Sequence, residues 1–92
     1  MYKFLIEVPH GADKHACDHA MQVFRETGSH FLTNAEWGCL DGEHKAWMIV
    51  EVDSKEEARF IVPPIFRHDA KITLLTHFTS EDILNPEKYH NA

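Results

Sequence analysis

Long apolar runs, basic stretches and cysteines are all scarce in this chain, and each scarcity removes a class of protein. The apolar amino-terminal segment Tyr2 to Val8 is interrupted by Lys3 and Glu7, so it fits neither a membrane span nor the core of a secretory leader. A cytoplasmic protein with no membrane partner is expected. Nine Lys plus Arg stand singly against fifteen Asp plus Glu, a net charge of −6, which is no footprint for a phosphate backbone, and nucleic acid is not an expected partner. Four glycines and four prolines form no run long enough for a linker. Two cysteines, Cys17 and Cys39, are too few for a disulfide framework; in a reducing compartment they read as thiols or metal ligands.

What is present is an ordinary globular composition, 43% hydrophobic and 26% charged, in 92 residues. A chain this short hides only roughly 60–65% of its unfolded surface, so a partner, a metal or a staple is expected to help hold it. Its eight histidines are the compositional excess that needs an explanation.

Tyr2, Phe4, Ile6 and Val8 alternate with Lys3, Leu5 and Glu7 up to Pro9, the period of a strand. Between Asp13 and Thr27, Ala16, Ala20, Val23, Phe24 and Thr27 recur at helical spacing, with Gly28 as the stop. Phe31–Leu40 and His44–Val52 read as two strands joined by a tight Asp41-Gly42 turn, which would set Cys39 opposite His44. Ser54 followed by Glu57 is a capping-box signature opening a helix that Pro63-Pro64 must end near Val62. Ala70–Phe78 alternates again, and the tail allows a turn or two of helix before Pro86. The order β-α-β-β-α-β is the ferredoxin-like arrangement of an α+β domain: an antiparallel four-stranded sheet with two helices on one face. One domain over residues 1–79 and a tail over 80–92 are expected.

The stretch Ala46-Trp47-Met48-Ile49-Val50-Glu51-Val52-Asp53-Ser54, the short helix broken at Pro63-Pro64-Ile65-Phe66 and the final strand resemble the second half of muconolactone-isomerase-like proteins of the dimeric α+β barrel superfamily. The resemblance contains no diagnostic catalytic motif, so it implies a fold and a homodimer but no catalytic residue. It also implies the strand order 4-1-3-2.

Alternation divides the sheet into two faces. One takes Tyr2, Phe4, Ile6, Val8, Ala35, Trp37, Cys39, Ala46, Met48, Val50, Val52, Ile72, Leu74 and Phe78, and belongs under the helices. The other mixes Leu5, Leu32, Trp47, Ile49 and Leu75 with Lys3, Glu7, Asn34, Glu36, Lys71, Thr73 and His77, too apolar for water and too charged for a core. That mixture suggests a homodimer. In similar barrels such faces enclose a small-molecule cavity. Glu7, Glu36 and His77 are then the acid–base candidates, with interface salt bridges as the plainer reading.

With that strand order, the end of strand one, the start of helix one, the hairpin and the start of strand four converge. His10, Cys17, Cys39 and His44, with His15 and His68 nearby, meet at one end of the sheet. Two thiolates and two imidazoles suit tetrahedral Zn²⁺, while copper or iron also accept them. The spacing matches no standard zinc motif. The alternatives are two buried hydrophobic thiols with His10 capping helix one, and a redox pair of Cys17 and Cys39. His19 shares a solvated helix surface with His15, and His30 and His90 acquire no role. The leading expectation is a small dimeric metal-binding protein, its metal structural, sensory or catalytic. An isomerase- or monooxygenase-like enzyme acting in the dimer cavity, and a metal-free interaction module, are the competing classes.

Overall fold

A computed structural model describes residues 1–27, 29–85 and 87. Its centre is a pair of eight-residue strands, β1 (Tyr2–Pro9) and β3 (Lys45–Val52), antiparallel from Tyr2 opposite Val52 to Pro9 opposite Lys45. On the far side of β1 runs β4 (Lys71–Leu75), also antiparallel, with Ile72 opposite Ile6. A two-residue β2 (Glu36–Trp37) pairs with the outer side of β3. The product is an α+β fold with an open antiparallel sheet ordered β2-β3-β1-β4, which reads 4-1-3-2 from the β4 edge. Five helical segments accompany it among the described residues: α1 (Lys14–Thr27), α2 (His30–Thr33), α3 (Lys55–Ile61), α4 (Pro64–Arg67) and α5 (Ser80–Ile83).

Alternation in the central strands decides what is buried. Phe4, Ile6, Val8, Ala46, Met48, Val50 and Ile72 join Phe24 of α1, Leu32 of α2, Ala58 of α3 and Val62 in one core. Each large apolar side chain fully buried there contributes on the order of 1.5–3 kcal/mol, which is what holds the helices to this face. Tyr2 and Leu74, expected on the same face, are 59% and 51% exposed. Tyr2 opens β1 and Leu74 is the second-last residue of β4. Phe78 lies past the end of β4, which closes at Leu75 rather than continuing as far as the alternation suggested.

The main departure from the sequence expectation is Phe31–Leu40, which is not one strand. Ser29 caps a helical turn: its Oγ accepts from the Phe31 amide (3.2 Å) and its carbonyl from Leu32 and Thr33. The turn swings Leu32 into the core, 2% exposed, and off the outer face where alternation placed it. After the two paired residues of β2, Cys39–Asp41 forms a 3₁₀ turn closed by Gly42 at φ +79°, a conformation glycine adopts at little cost. The Asp41-Gly42 pair therefore does not close a two-residue hairpin. The link is a longer loop pinned by Gly38 N–H to the Lys45 carbonyl and Glu43 N–H to the Gly38 carbonyl. Gly38 has its own reason: a Cβ there would stand 2.5 Å from the Trp47 ring and 2.7 Å from the Glu43 carbonyl.

The second half follows its local signals. Ser54 Oγ accepts from the Glu57 amide, and the Glu57 carboxylate reaches back to the Asp53 amide, both at 3.1 Å. α3 stops at Val62, after which Pro64 starts the unanticipated α4 in the position where a missing N–H costs nothing. Two arginines tie this corner. Arg59 donates to the carbonyls of Arg67 and Ala70, and Arg67 donates to those of Phe60 and Val62 while lying 4.7 Å from the Phe60 ring centroid. α5 carries a full capping box between Thr79 and Asp82. The helix stop assigned to Gly28, the tail beyond Glu87, Pro86 and His90 lie outside the described residues. Among the described residues no helix is long and apolar enough to cross a membrane.

Candidate metal centre

Three backbone features bring the cluster together. The β1–β3 ladder runs one step past Pro9, with the His10 amide donating to the His44 carbonyl at 3.0 Å, so these two histidines are neighbours across the sheet end. The 3₁₀ turn folds Cys39 back toward them instead of leaving it on a strand. Asp13 caps α1 through its side chain, which accepts from the Ala16 amide at 2.8 Å, and its carbonyl accepts from Cys17. This first turn presents Cys17 to the loop. The cap is thus Asp13 and not His10, whose ring nitrogens face the Gly11 carbonyl and Cys39.

His10, Cys39 and His44 each bring one ligand atom to within 4.8 Å of the others. All three are half-buried. Cys39 Sγ lies 3.3 Å from His10 Nε2 and 3.1 Å from Cys17 Sγ, and both cysteines are free. Around one tetrahedral zinc, bond lengths near 2.1 Å to nitrogen and 2.3 Å to sulfur place neighbouring ligand atoms roughly 3.3–3.8 Å apart. The two contacts are close to that span, and His44 lies within 4.8 Å of His10 and Cys39, so a small divalent transition metal could be held here once the ligands adjust around it. Cys17 reaches the group through Cys39 and is not itself one of the three mutually close ligands.

Two details support ligation over plain packing. His10 Nδ1 is 2.8 Å from the Gly11 carbonyl, which can only accept, so Nδ1 carries the hydrogen and the lone pair of a neutral ring sits on Nε2, facing Cys39. A backbone carbonyl holding one ring nitrogen while the other binds is the usual outer support of a metal-bound histidine. No sequence signal marks Gly11 for this task, since any residue supplies a carbonyl. The second detail is His44 Nδ1, a buried nitrogen with no hydrogen-bond partner. Such atoms are uncommon and ask for an explanation.

The Cys17 thiol is pushed up from 9.0 to about 11, chiefly because it donates a hydrogen bond to Cys39, and further by burial and by the negative charge Cys39 can carry. Without a metal, Cys17 is a thiol at neutral pH. As a ligand it has to give up its proton on binding. On one side the cluster is walled by Trp37, its ring 5.8 Å from His10 and in turn 4.9 Å from Phe24.

The other sequence candidates stay apart. His15, His19 and His68 are exposed, His19 leaning on Phe66 at 6.2 Å. Among the described residues, no second group of His, Cys, Asp and Glu gathers in this way. On the outer face, Glu7 accepts from the Trp47 indole N–H at 3.2 Å, and Glu36 lies opposite Trp47 in register. His77 is beyond Leu75, at the end of β4 opposite to Lys71, the partner of Glu7. It lines a separate open depression with Lys3, Ile49, Leu75 and Thr76. The three cavity candidates therefore form no single constellation within one chain.

No family model, curated protein or solved structure matches the chain.

Proposed function

We propose that the chain is a metal-binding protein that holds one divalent transition metal through His10, Cys39 and His44, with Cys17 as the fourth ligand. The observation that carries this is the unpartnered His44 Nδ1, buried beside a histidine and a cysteine in a group whose ligand atoms all lie within 4.8 Å of one another. A metal supplies the missing partner. Zinc suits two sulfurs and two imidazoles best, and copper and iron accept the same set. With Cys17 engaged the site is closed, which suits a structural or sensory role; with Cys17 displaced, a position opens for water and the role becomes catalytic. A short chain gains from the closed form, since a ligand present at a thousandfold over its Kd adds about 4 kcal/mol to the folded state.

The same proposal includes a ferredoxin-like domain that pairs through the outer face of its sheet, in a cytoplasmic homodimer. Its support is the strand order together with Leu5, Trp47, Ile49 and Leu75, which share that face with Ile49 61% exposed. A second reading, isomerase- or monooxygenase-like chemistry on a small molecule in the dimer cavity, is favoured by the Glu7–Trp47 hydrogen bond, which holds a carboxylate in place on the mixed apolar and charged outer face.

Elemental analysis of untagged protein, followed by chelator competition, tests the metal. One metal per chain, lost in both Cys39→Ser and His44→Ala, is the expected result. A chain that retains no metal, and whose melting temperature zinc leaves unchanged, would return the cluster to ordinary packing.

A further inference from the structure

The sulfur pair has a chemistry of its own that needs no metal. Cys17 Sγ and Cys39 Sγ are 3.1 Å apart across 22 residues of sequence. They come from different elements, the first turn of α1 and the 3₁₀ turn after β2. A disulfide needs a separation near 2.05 Å, so closing the gap takes a movement of about 1 Å, within reach of side-chain rotation and a small shift of the seven-residue loop between Trp37 and Lys45. Three other features matter. Cys39 has a base against it, His10 Nε2 at 3.3 Å, whose lone pair is directed there because Nδ1–H is committed to Gly11. Cys17 points its S–H at Cys39 and so is aimed at the atom it would attack. Neither cysteine is fully buried.

We infer that Cys17 and Cys39 form a peroxide-reactive dithiol, in which Cys39 is the sulfur attacked first and Cys17 resolves it. Cys39 passes its proton to His10 Nε2 and its sulfur attacks one oxygen of a hydroperoxide. The O–O bond breaks, Cys39 becomes a sulfenic acid, and the leaving alkoxide or hydroxide takes the proton back from His10 as an alcohol or water. The Cys17 sulfur then attacks the Cys39 sulfur. The S–S bond forms, the S–O bond breaks, and the departing hydroxide leaves as water with the Cys17 proton. Two thiols and one hydroperoxide give one disulfide, one alcohol and one water, with two electrons moved from sulfur to oxygen. The disulfide removes both thiolates from the ligand set, so a metal held there would be expelled by the same reaction.

Hydrogen peroxide added to the reduced, metal-free full-length chain at neutral pH tests this. The expected product has lost two hydrogen atoms, carries one peptide cross-link joining Cys17 to Cys39 within a single chain, and is reversed by dithiothreitol. In Cys17→Ser a sulfenic acid is trapped by dimedone on Cys39. In Cys39→Ser the remaining thiol reacts roughly tenfold or more slowly, because a thiol with no neighbouring base reacts only through its small thiolate fraction. The cross-link is mapped in the unsubstituted chain, so the result stands even where a variant folds poorly. Cross-links between chains, sulfinic acid without the Cys17–Cys39 bridge, or undiminished reactivity in a folded Cys39→Ser would each overturn the inference. Because no metal is present, a bridge that forms in a chain unable to bind zinc separates this inference from the metal proposal, as does zinc binding in a chain that forms no bridge.

Discussion

Replacing His44 with leucine separates what this residue does with and without a metal, and the two effects have opposite signs. In the metal-free chain His44 Nδ1 is buried and unpartnered, a condition that costs about 1–3 kcal/mol. Leucine fills similar space and carries no polar atom. What is lost is the edge-on contact with His10, whose ring centroid is 5.8 Å away, a contact of the kind that contributes about 0.5–1.5 kcal/mol. The balance favours the variant by about 1 kcal/mol, which in a domain of this size raises the melting temperature by about 4–8 °C. With zinc the order reverses. The parent chain gains about 4 kcal/mol at a thousandfold excess over Kd, while the variant, lacking a ligand, gains little. Thermal melts of untagged protein by circular dichroism, in EDTA and in zinc, read both arms. A His44→Leu variant that melts below the parent in EDTA would show that Nδ1 is not an uncompensated cost, and equal rises in zinc would remove His44 from the ligand set.

Gly38→Ala should lower stability by about 1–3 kcal/mol and weaken metal binding with it, because the new methyl must displace the Trp47 ring or the loop that carries Cys39; urea unfolding and zinc titration measure the pair, and an unchanged midpoint would refute the close packing. The metal-free chain should lose stability as pH rises from about 9.0, where the unfolded Cys17 thiol ionises, through about 11, its folded value, since the folded form holds that proton longer. Cys17→Ala should flatten the fall, and a slope that persists in the variant assigns it to other groups. Ile49→Lys should leave the monomer within about 0.5 kcal/mol of the parent, as expected for an exposed site, yet abolish self-association in sedimentation; a variant that stays dimeric would move the interface off this face.

The central strands and α1 were legible because their signals are local and repeated. Phe4, Ile6 and Val8 alternate with polar or outward residues, as do Ala46, Met48 and Val50, and a one-residue slip would expose every one of them. Ser54, Glu57 and Pro63-Pro64 mark the limits of α3 within a residue. Phe31–Leu40 departs from its strand-like pattern for an equally physical reason. Its apolar residues suit either a strand or a helical turn, and the choice fell to Ser29 capping the amides that follow it and to the core space that Leu32 fills. His10, Cys39 and His44, which the structure gathers, are legible by residue type and by the end of the fold to which they belong, but the tight hairpin expected to pair Cys39 with His44 does not exist.

The sequence by itself determined the alternation that makes one face of the sheet a core, the caps and prolines that bound α3, and the supply of two thiols and several imidazoles near the same end. Those properties depend on side-chain chemistry and short-range spacing, which the chain carries wherever it folds. Only the tertiary structure decided which of the eight histidines meet the sulfurs. His10 and Cys39 are 29 residues apart, and Cys17 and Cys39 are 22 apart. Their contacts depend on the β1–β3 ladder extending one residue past Pro9, on a 3₁₀ turn closed by a left-handed glycine, and on the capped first turn of α1. The buried, unpartnered Nδ1 of His44 is likewise a property of the assembled fold, because burial and partnership are relations between distant segments that no local pattern encodes.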